Sequence, residues 1–389
     1  MKKQSNKLVI AIDANEANTP ERVGVHQYSF QILWAIYDLR YLWEKEIEFT
    51  ILLKDLQGND LPKETKGWKY RVIPGKSFWV IKKLMPHLMK CKEYDLFFSP
   101  SHYLPLFSSC PMICAIHDLG YLKFSEQFKF KDIWQLKLWT AISIIISKHI
   151  ITFTDFTKND IVRRYPFTSE KVSVIHHGYD KKRFTNNFNS NDVRRVLEKY
   201  KIDKSYILFL STLKPSKNIE GLIDAYSLMK KKNGNNIPKL VIAGKKGWLY
   251  ETIFEKVVKL GLKDEVIFTG YVDEKDKPVL LANAKVFVSP SFWEGFGINV
   301  LEAMAMGTPV VASNTSSLPE IVGKAGIYVD PSDVDSICLG INKVLSMSDK
   351  EYNRLRRMEI LQAEGFSWDK AARETLELFK KVLKNNALL

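Results

Sequence analysis

VFVSPSFWEGFGINVLEAMAMGTPVVAS, residues 286–313, reads as a buried strand, a turn, a short helix and a second buried strand. VFVSP is a continuous apolar run, SFWEGFG is a glycine-bearing turn, and INVLEAMAM is an apolar helix stopped by Gly307 before TPVVAS. Apolar strands separated by a helix imply a parallel sheet covered on both faces. The stretch also poses a chemical question. Glu302 lies inside the apolar helix, where an unpaired carboxylate is expensive to bury.

The same alternation extends outward. YILFLST (206–212), KLVIAG (239–244), EVIFTG (265–270) and GIYVD (326–330) are further strand-like runs, with helical spacing over 218–232 and about 248–261. Towards the N-terminus, KLVIAID, EFTILL, DLFFSP, MICAIHD and HIITFT repeat the pattern less regularly. The polar, Asn-rich stretch 179–195 reads as a linker. The expected class is therefore α/β, with two Rossmann-like domains whose parallel sheets face each other across a cleft. Ligands in such sheets sit beyond the carboxyl ends of the strands. The expected division is 1–187, 188–370, and a terminal helix over 371–389 returning towards the first domain.

Composition sets the remaining bounds. A chain of 389 residues exceeds one ordinary core, and 46% hydrophobic content with 12% aromatics excludes disorder. The apolar run LVIAI ends at Asp13, too short for a signal peptide. LWTAISIIISKHIITF (138–153) is broken by Lys148 and His149 and falls short of a membrane span. The expected placement is cytoplasmic, or peripheral at the inner membrane face. Cys91, Cys110, Cys114 and Cys338 form no C-x-x-C pair, and the histidines show no ligand spacing, so core thiols and no metal are expected. The net charge of +14 is uneven: residues 1–200 hold 31 basic and 21 acidic side chains. That excess suggests an anionic partner for the N-terminal half. GKSFWVIKKLMPHLMKCK (75–92) interleaves lysines with large apolar residues. It reads either as a helix with a solvated lysine edge or as a surface for an anionic membrane. Pro86 is expected to interrupt any single helix there.

The turn in 291–298 answers the question of Glu302 in outline. Gly295 and Gly297 permit close backbone approach, and the free N–H groups of 295–298 at the helix start form an anion site. A carboxylate one turn later accepts from two neighbouring hydroxyls, as a ribose offers. Glu294 on the turn is placed for hydroxyls of a sugar on the same diphosphate. For either glutamate alone a structural role stands open, including pairing of Glu302 with a basic side chain. Together they point to a nucleotide-sugar site.

The E-x7-E block resembles the signature of the retaining glycosyltransferases of family 4, the group 1 transferases of GT-B architecture. STLKPSKNIEGLIDAY (211–226), VIHHGYDKKRF (174–184), AIHDLGYLKFSEQF (115–128) and FSWDKAARETLELFKKVL (366–383) resemble other segments of that family. The resemblance implies that Glu294 contacts donor-sugar hydroxyls, that Gly295, Phe296, Gly297 and Ile298 meet sugar and phosphate through backbone amides, and that Glu302 binds ribose. It implies that Lys217 pairs with the diphosphate, that His117 contacts the transferred sugar, and that Gly24 and Val25 close over the donor phosphate. Many relatives carry an arginine where this chain has Ser211, leaving open whether Lys214 supplies that charge.

The implied reaction is transfer of a mannose- or glucose-type hexose from a UDP or GDP sugar, without metal or other cofactor, to a glycan or lipid-linked acceptor in cell-surface polysaccharide synthesis. A sugar phosphorylase or nucleotide-sugar epimerase on the same architecture is the alternative. A basic nucleic-acid-binding protein ranks lower, because no basic–aromatic recognition motif accompanies the charge. No G-x-G-x-x-G follows a strand, which disfavours an oxidoreductase.

Overall fold

The computed structural model describes residues 7–127, 130–203, 205–234 and 237–387. It divides the chain into two compact units. One holds the described residues of Met1–Leu122, Phe130–Gly178 and Ser367–Leu389; the other holds those of Lys123–Lys129 and Tyr179–Phe366.

The first unit contains a parallel sheet of seven strands: Leu8–Asp13 (β1), Ile47–Leu53 (β2), Trp68–Val72 (β3), Leu96–Ser99 (β4), Met112–Ala115 (β5), His149–Thr152 (β6) and Val172–Val174 (β7). Their order is β3-β2-β1-β4-β5-β6-β7. Central strands β4 and β5 are buried along their whole length, which is why they read as unbroken apolar runs. The edge strands β3 and β7 add to the five expected from sequence. In β3 only Trp68 is fully buried, and β7 is three residues long, so neither carries a strong pattern.

The second unit contains a parallel sheet of six strands: Tyr206–Leu210 (β8), Lys239–Ala243 (β9), Val266–Gly270 (β10), Val286–Ser289 (β11), Val310–Ser313 (β12) and Ile327–Val329 (β13). Their order is β10-β9-β8-β11-β12-β13, and all six coincide with the apolar runs of the sequence. The helix Ile219–Asn233 buries Ile219, Leu222, Ile223, Tyr226 and Met229 against the sheet residues Ile207, Phe209 and Leu240. These side chains recur at helical spacing, so one face of the helix joins the core.

In both sheets the winding direction reverses once, between β1 and β4 in the first and between β8 and β11 in the second. At such a switch point neighbouring strands send their connections to opposite faces and open a crevice at their carboxyl ends.

The chain leaves the first unit at Gly178 and returns to it at Ser367. A Cβ on Gly178 would lie 2.1 Å from the backbone N of Trp368, so only glycine fits there. The terminal helix Trp368–Ala387 lies in the first unit, where Phe379 meets Phe98 at 5.2 Å between ring centres. Lys380 there pairs with Glu46 at 2.7 Å.

Over 75–92 a π-helical stretch, Val80–Leu84, passes into a short α-helix, Met85–Lys90, with Pro86 in the first turn of the second. The hydrogen-bonding pattern changes at the proline, so no single regular helix runs through it, as the sequence led us to expect. Among the described residues no helix is long and apolar enough to cross a membrane. All four cysteines are free, and Cys110, Cys114 and Cys338 are buried.

Candidate active site

The second unit brings its site residues together at the switch point. The connection after β8 carries Lys214 and Lys217 into a tight turn, Pro215–Lys217, before the helix Ile219–Asn233. The connection after β11 carries Ser291–Gly297 into the helix Ile298–Ala305. The two turns are tied directly: Phe292 N donates to Ser216 O at 3.0 Å, and Asn299 Nδ2 donates to Leu210 O at 2.9 Å.

Lys217 and Glu294 meet across these turns. Lys217 Nζ lies 2.6 Å from Glu294 Oε1 and also donates to Trp293 O at 3.2 Å. Both side chains are largely buried, at 9% and 17% exposure. Glu294 is held on every side. Ser291 Oγ donates to its Oε1 at 2.9 Å, its backbone N donates to Ser316 Oγ at 3.1 Å, and Ser317 Oγ donates to its backbone O at 2.9 Å. A carboxylate fixed by one hydroxyl and an ammonium, on a backbone pinned by two further serines, is preorganised to receive a polar ligand without rearranging.

Gly297 starts the helix at φ +98, and a Cβ there would lie 2.6 Å from Leu318 Cδ2. The helix begins without a side-chain cap, so its first N–H groups point out of the turn unsatisfied by any capping side chain.

Glu302 faces the same helix's neighbour and is 5% exposed. Lys277 Nζ donates to its Oε2 at 3.2 Å, so the carboxylate is paired with a basic side chain. Lys277 also meets Glu274 at 3.1 Å, and Glu274 in turn pairs with Arg183. Burial pushes the Glu302 carboxyl above its ordinary range, while Lys277 pulls against that shift. Burial lowers the Lys277 ammonium, but Glu302 and Glu274 outweigh it and leave Lys277 above its usual value. Two carboxylates therefore share one buried ammonium. Sequence reasoning did not single out Lys277, Glu274 or Arg183; Lys277 and Glu274 lie in the charge-rich stretch VDEKDKPVL (272–280), and no spacing links them or Arg183 to Glu302.

Lys214 is half-buried at the head of the Pro215–Lys217 turn, and Ser211 donates its N–H to Ala243 O at 3.0 Å at the end of β8. Gly24, Val25 and His117 belong to the first unit. Gly24 precedes the helix Val25–Asp38 at φ +54 with open space where a Cβ would stand. His117 Nε2 lies 3.1 Å from Pro100 O. A carbonyl only accepts, so Nε2 carries the proton, and burial keeps the ring below its ordinary pKa. A neutral ring then presents Nδ1 as an acceptor. His117 packs against Tyr28 and Phe153, with ring centres at 5.1 and 4.7 Å. Among the described residues no group of three or more His, Cys, Asp or Glu side chains is placed to hold a metal ion.

Residues 192–386 match the family of glycosyl transferases group 1, and residues 39–183 match Glycosyltransferase Family 4. The chain belongs to the group 1 glycosyl transferases. It is 30% identical over 314 residues to the O-antigen chain mannosyltransferase B of Escherichia coli, covering 80% of this chain and 79% of that protein. It is 29% identical over 287 residues to the serotype-specific mannosyltransferase WbdA of E. coli, covering 70% of this chain and only 34% of that longer protein. In fold it resembles Anabaena Alr3699/HepE, solved in complex with UDP-glucose, with a TM-score of 0.73 at 17% identity over 96% of this chain and 100% of that one. These likenesses establish a glycosyltransferase of GT-B architecture.

Asp13 ends β1 and is buried, accepting from Asn15 N at 3.0 Å and Asn15 Nδ2 at 2.6 Å. Burial raises its pKa from 3.8 to about 6. A raised folded-state value contributes stability below the unfolded pKa that is lost as pH rises through the folded one. Asp13→Asn is therefore expected to stabilise this glycosyltransferase at pH 7 by on the order of 2 kcal/mol. It should also flatten the fall in stability between pH 3.8 and about 6. Urea denaturation at pH 4 and pH 7 measures both; equal midpoint shifts at the two pH values would rule the argument out.

Proposed function

We propose that the enzyme transfers a hexose, mannose in preference to glucose, from a UDP- or GDP-type nucleotide diphosphate sugar to a glycan or lipid-linked acceptor, with retention of anomeric configuration and without a metal ion. The observation that carries this reading is the Lys217–Glu294 pair beside an uncapped helix start at the switch point. Negative charge develops on the departing diphosphate, and an ammonium with oriented backbone N–H groups stabilises it without a divalent ion. Within the second unit Glu294 takes hydroxyls of the transferred sugar, Glu302 takes ribose and Lys214 adds a phosphate contact; the roles of His117, Gly24 and Val25 rest on the family resemblance. The O-antigen mannosyltransferases among the relatives support mannose and a cell-surface polysaccharide. The UDP-glucose complex of a neighbouring fold supports the donor class. Retention follows if the acceptor attacks from the leaving-group face with donor phosphate taking its proton; Glu294 then acts by binding rather than as a nucleophile.

The test is release of nucleoside diphosphate from a panel of UDP-, GDP- and ADP-sugars, with the product anomer read by NMR. At least one donor is expected to turn over, with chelator leaving the rate within about twofold. Loss with chelator, restored by Mg²⁺ or Mn²⁺, would refute the metal-free leaving-group chemistry. Sugar phosphate as product, or an epimerised nucleotide sugar, would assign a phosphorylase or an epimerase instead.

Contact with an anionic membrane completes this reading. Over 75–92, Trp79, Leu84 and Leu88 turn into the core, whereas Phe78, Met89, Lys76, Lys82, Lys83 and Lys90 are exposed. The helix Phe130–Ile146 supports it more strongly. Phe130, Trp134, Leu138 and Ile145 fall on one helical face and are 58–76% exposed. An apolar stripe on a chain of net charge +14 suits an anionic bilayer better than a second equally basic copy. Co-sedimentation with phosphatidylglycerol vesicles is expected to be salt-sensitive and to fall severalfold in Trp134→Ser/Leu138→Ser and in Lys82→Glu/Lys83→Glu. Equal partitioning of wild type and variants would leave a soluble acceptor.

A further inference from the structure

Lys277 and Glu302 do not satisfy each other completely. Lys277 opens the helix Lys277–Asn283, which follows β10, and Glu302 lies in the helix Ile298–Ala305, which follows β11. The Lys277 ammonium meets Glu274 Oε1 at 3.1 Å and Glu302 Oε2 at 3.2 Å. An ammonium has three hydrogens to donate, and these two partners take two of them. Among the described residues neither the third ammonium hydrogen nor Glu302 Oε1 has a hydrogen-bond partner. Both side chains are nonetheless largely withdrawn from solvent, at 14% and 6% exposure. Taking two charges out of water is offset only where their remaining donors and lone pairs are satisfied as well. A purely structural pair so placed would close these groups within the protein. This one leaves a donor and an acceptor side by side.

The surrounding network fixes the ammonium and does not complete it. Glu274 gives its other oxygen, Oε2, to Arg183, and Arg183 is held in turn by Asp180 at 3.3 Å. One residue before Lys277, Asp276 is wholly buried and takes Lys199 Nζ at 2.6 Å and Tyr200 Oη at 3.1 Å. The backbone that carries Lys277 is thus anchored on one side while its ammonium is drawn to Glu302 on the other. A ligand hydroxyl both donates one hydrogen and accepts through its lone pairs. A carboxylate alone engages only the first property; an ammonium beside it engages the second.

We propose that Lys277 is a second ribose ligand of the donor site, so that one ribose hydroxyl donates to Glu302 Oε1 and accepts from the Lys277 ammonium at once. This rests on the assignment of Glu302 to ribose and adds a specificity-determining residue to it. The two side chains act as a unit on that hydroxyl, and loss of either removes most of the preference for it. Glu274 touches no ligand and is a positioning residue for the ammonium.

The experiment uses the full chain with UDP and GDP, and with analogues in which the 2′ or the 3′ hydroxyl is replaced by hydrogen or by fluorine. Fluorine accepts weakly and cannot donate. Beside a carboxylate alone its partial negative charge is repelled, and the fluoro analogue binds less tightly than the deoxy one. Beside an ammonium the order inverts. Isothermal titration of the wild type is expected to rank hydroxyl above fluoro above deoxy at one of the two positions, with fluoro ahead of deoxy by about three- to tenfold. Lys277→Met is expected to abolish the advantage of fluoro over deoxy, which an effect of fluorine on ring pucker would leave in place. Lys277→Arg keeps the charge and its donors and should preserve the order. A fluoro analogue no tighter than the deoxy one at both positions of the wild type overturns the proposal, and that comparison needs no variant to fold. An unchanged order in folded Lys277→Met overturns it too. Equal binding of hydroxyl and deoxy analogues at both positions would refute the ribose assignment itself, a result distinct from failure of the fluoro comparison alone.

Discussion

Lys217→Ala is expected to lower turnover by about 10²- to 10³-fold, the largest loss at any single position of the site. The ammonium stands 2.6 Å from Glu294 Oε1 on the turn that leads into the uncapped helix, so removal affects both halves of the donor site. The leaving diphosphate loses a buried cation, and Glu294 loses the partner that fixes it. Affinity for free nucleoside diphosphate should fall with turnover. The alanine variant also strands a buried carboxylate, which typically costs about 3–5 kcal/mol of stability. A double-mutant cycle separates the two effects. Lys217→Ala/Glu294→Gln should recover much of the lost thermal stability, because no unpaired charge remains, yet stay as inactive as Lys217→Ala. Recovery of activity together with stability would make the pair a structural ion pair and nothing more.

The second sheet was legible because its strands are buried on both faces and read as continuous apolar runs, VFVSP and KLVIAG among them. Strands β3 and β7 were not, because an edge strand half in solvent, or one of three residues, carries too little periodicity. The glycine turn and its helix were legible for a different reason: Gly297 at φ +98 and Gly307 at φ +65 need backbone geometry that other residues rarely adopt. What sequence could not supply was pairing across distance. Lys217 and Glu294 are separated by three helices and three strands and were read as two independent ligand contacts, whereas the fold joins them. Lys277 lies in a run of charges whose ordinary fate is solvation, and the packing of its helix against Ile298–Ala305 turns it towards Glu302, while its neighbour Asp276 is buried against Lys199 and Tyr200. The fold therefore shows that Glu302 has a basic partner, one of the two readings its apolar surroundings allowed.

Glu302→Gln decides whether that partner is the whole explanation. The variant is expected to weaken binding of the nucleotide sugar and of free nucleoside diphosphate in parallel by about 10- to 100-fold, since hydrogen bonds to a charged group are worth roughly 1.5–3 kcal/mol. If Glu302 served only to neutralise Lys277, the loss would appear in stability and not in nucleotide affinity. Glu274 at 3.1 Å would still hold the ammonium. Lys277→Met supplies the contrast: it removes the ammonium, leaves Glu302 buried among apolar neighbours, and should destabilise the fold more than Glu302→Gln does. A ligand change completes the cycle. Wild type should bind a nucleoside diphosphate lacking its 2′ and 3′ hydroxyls less tightly than the intact nucleotide by the same factor that Glu302→Gln costs. The glutamine variant should scarcely distinguish the two. Burial holds the Glu302 carboxyl above its ordinary pKa, so wild-type affinity should begin to fall at a higher pH than a solvated glutamate would give. The glutamine variant should lack that fall. Isothermal titration of the two proteins with the two nucleotides across this pH range measures all of these differences. Equal discrimination by wild type and Glu302→Gln would remove Glu302 from the ribose site and leave it as the counter-charge that Lys277 requires.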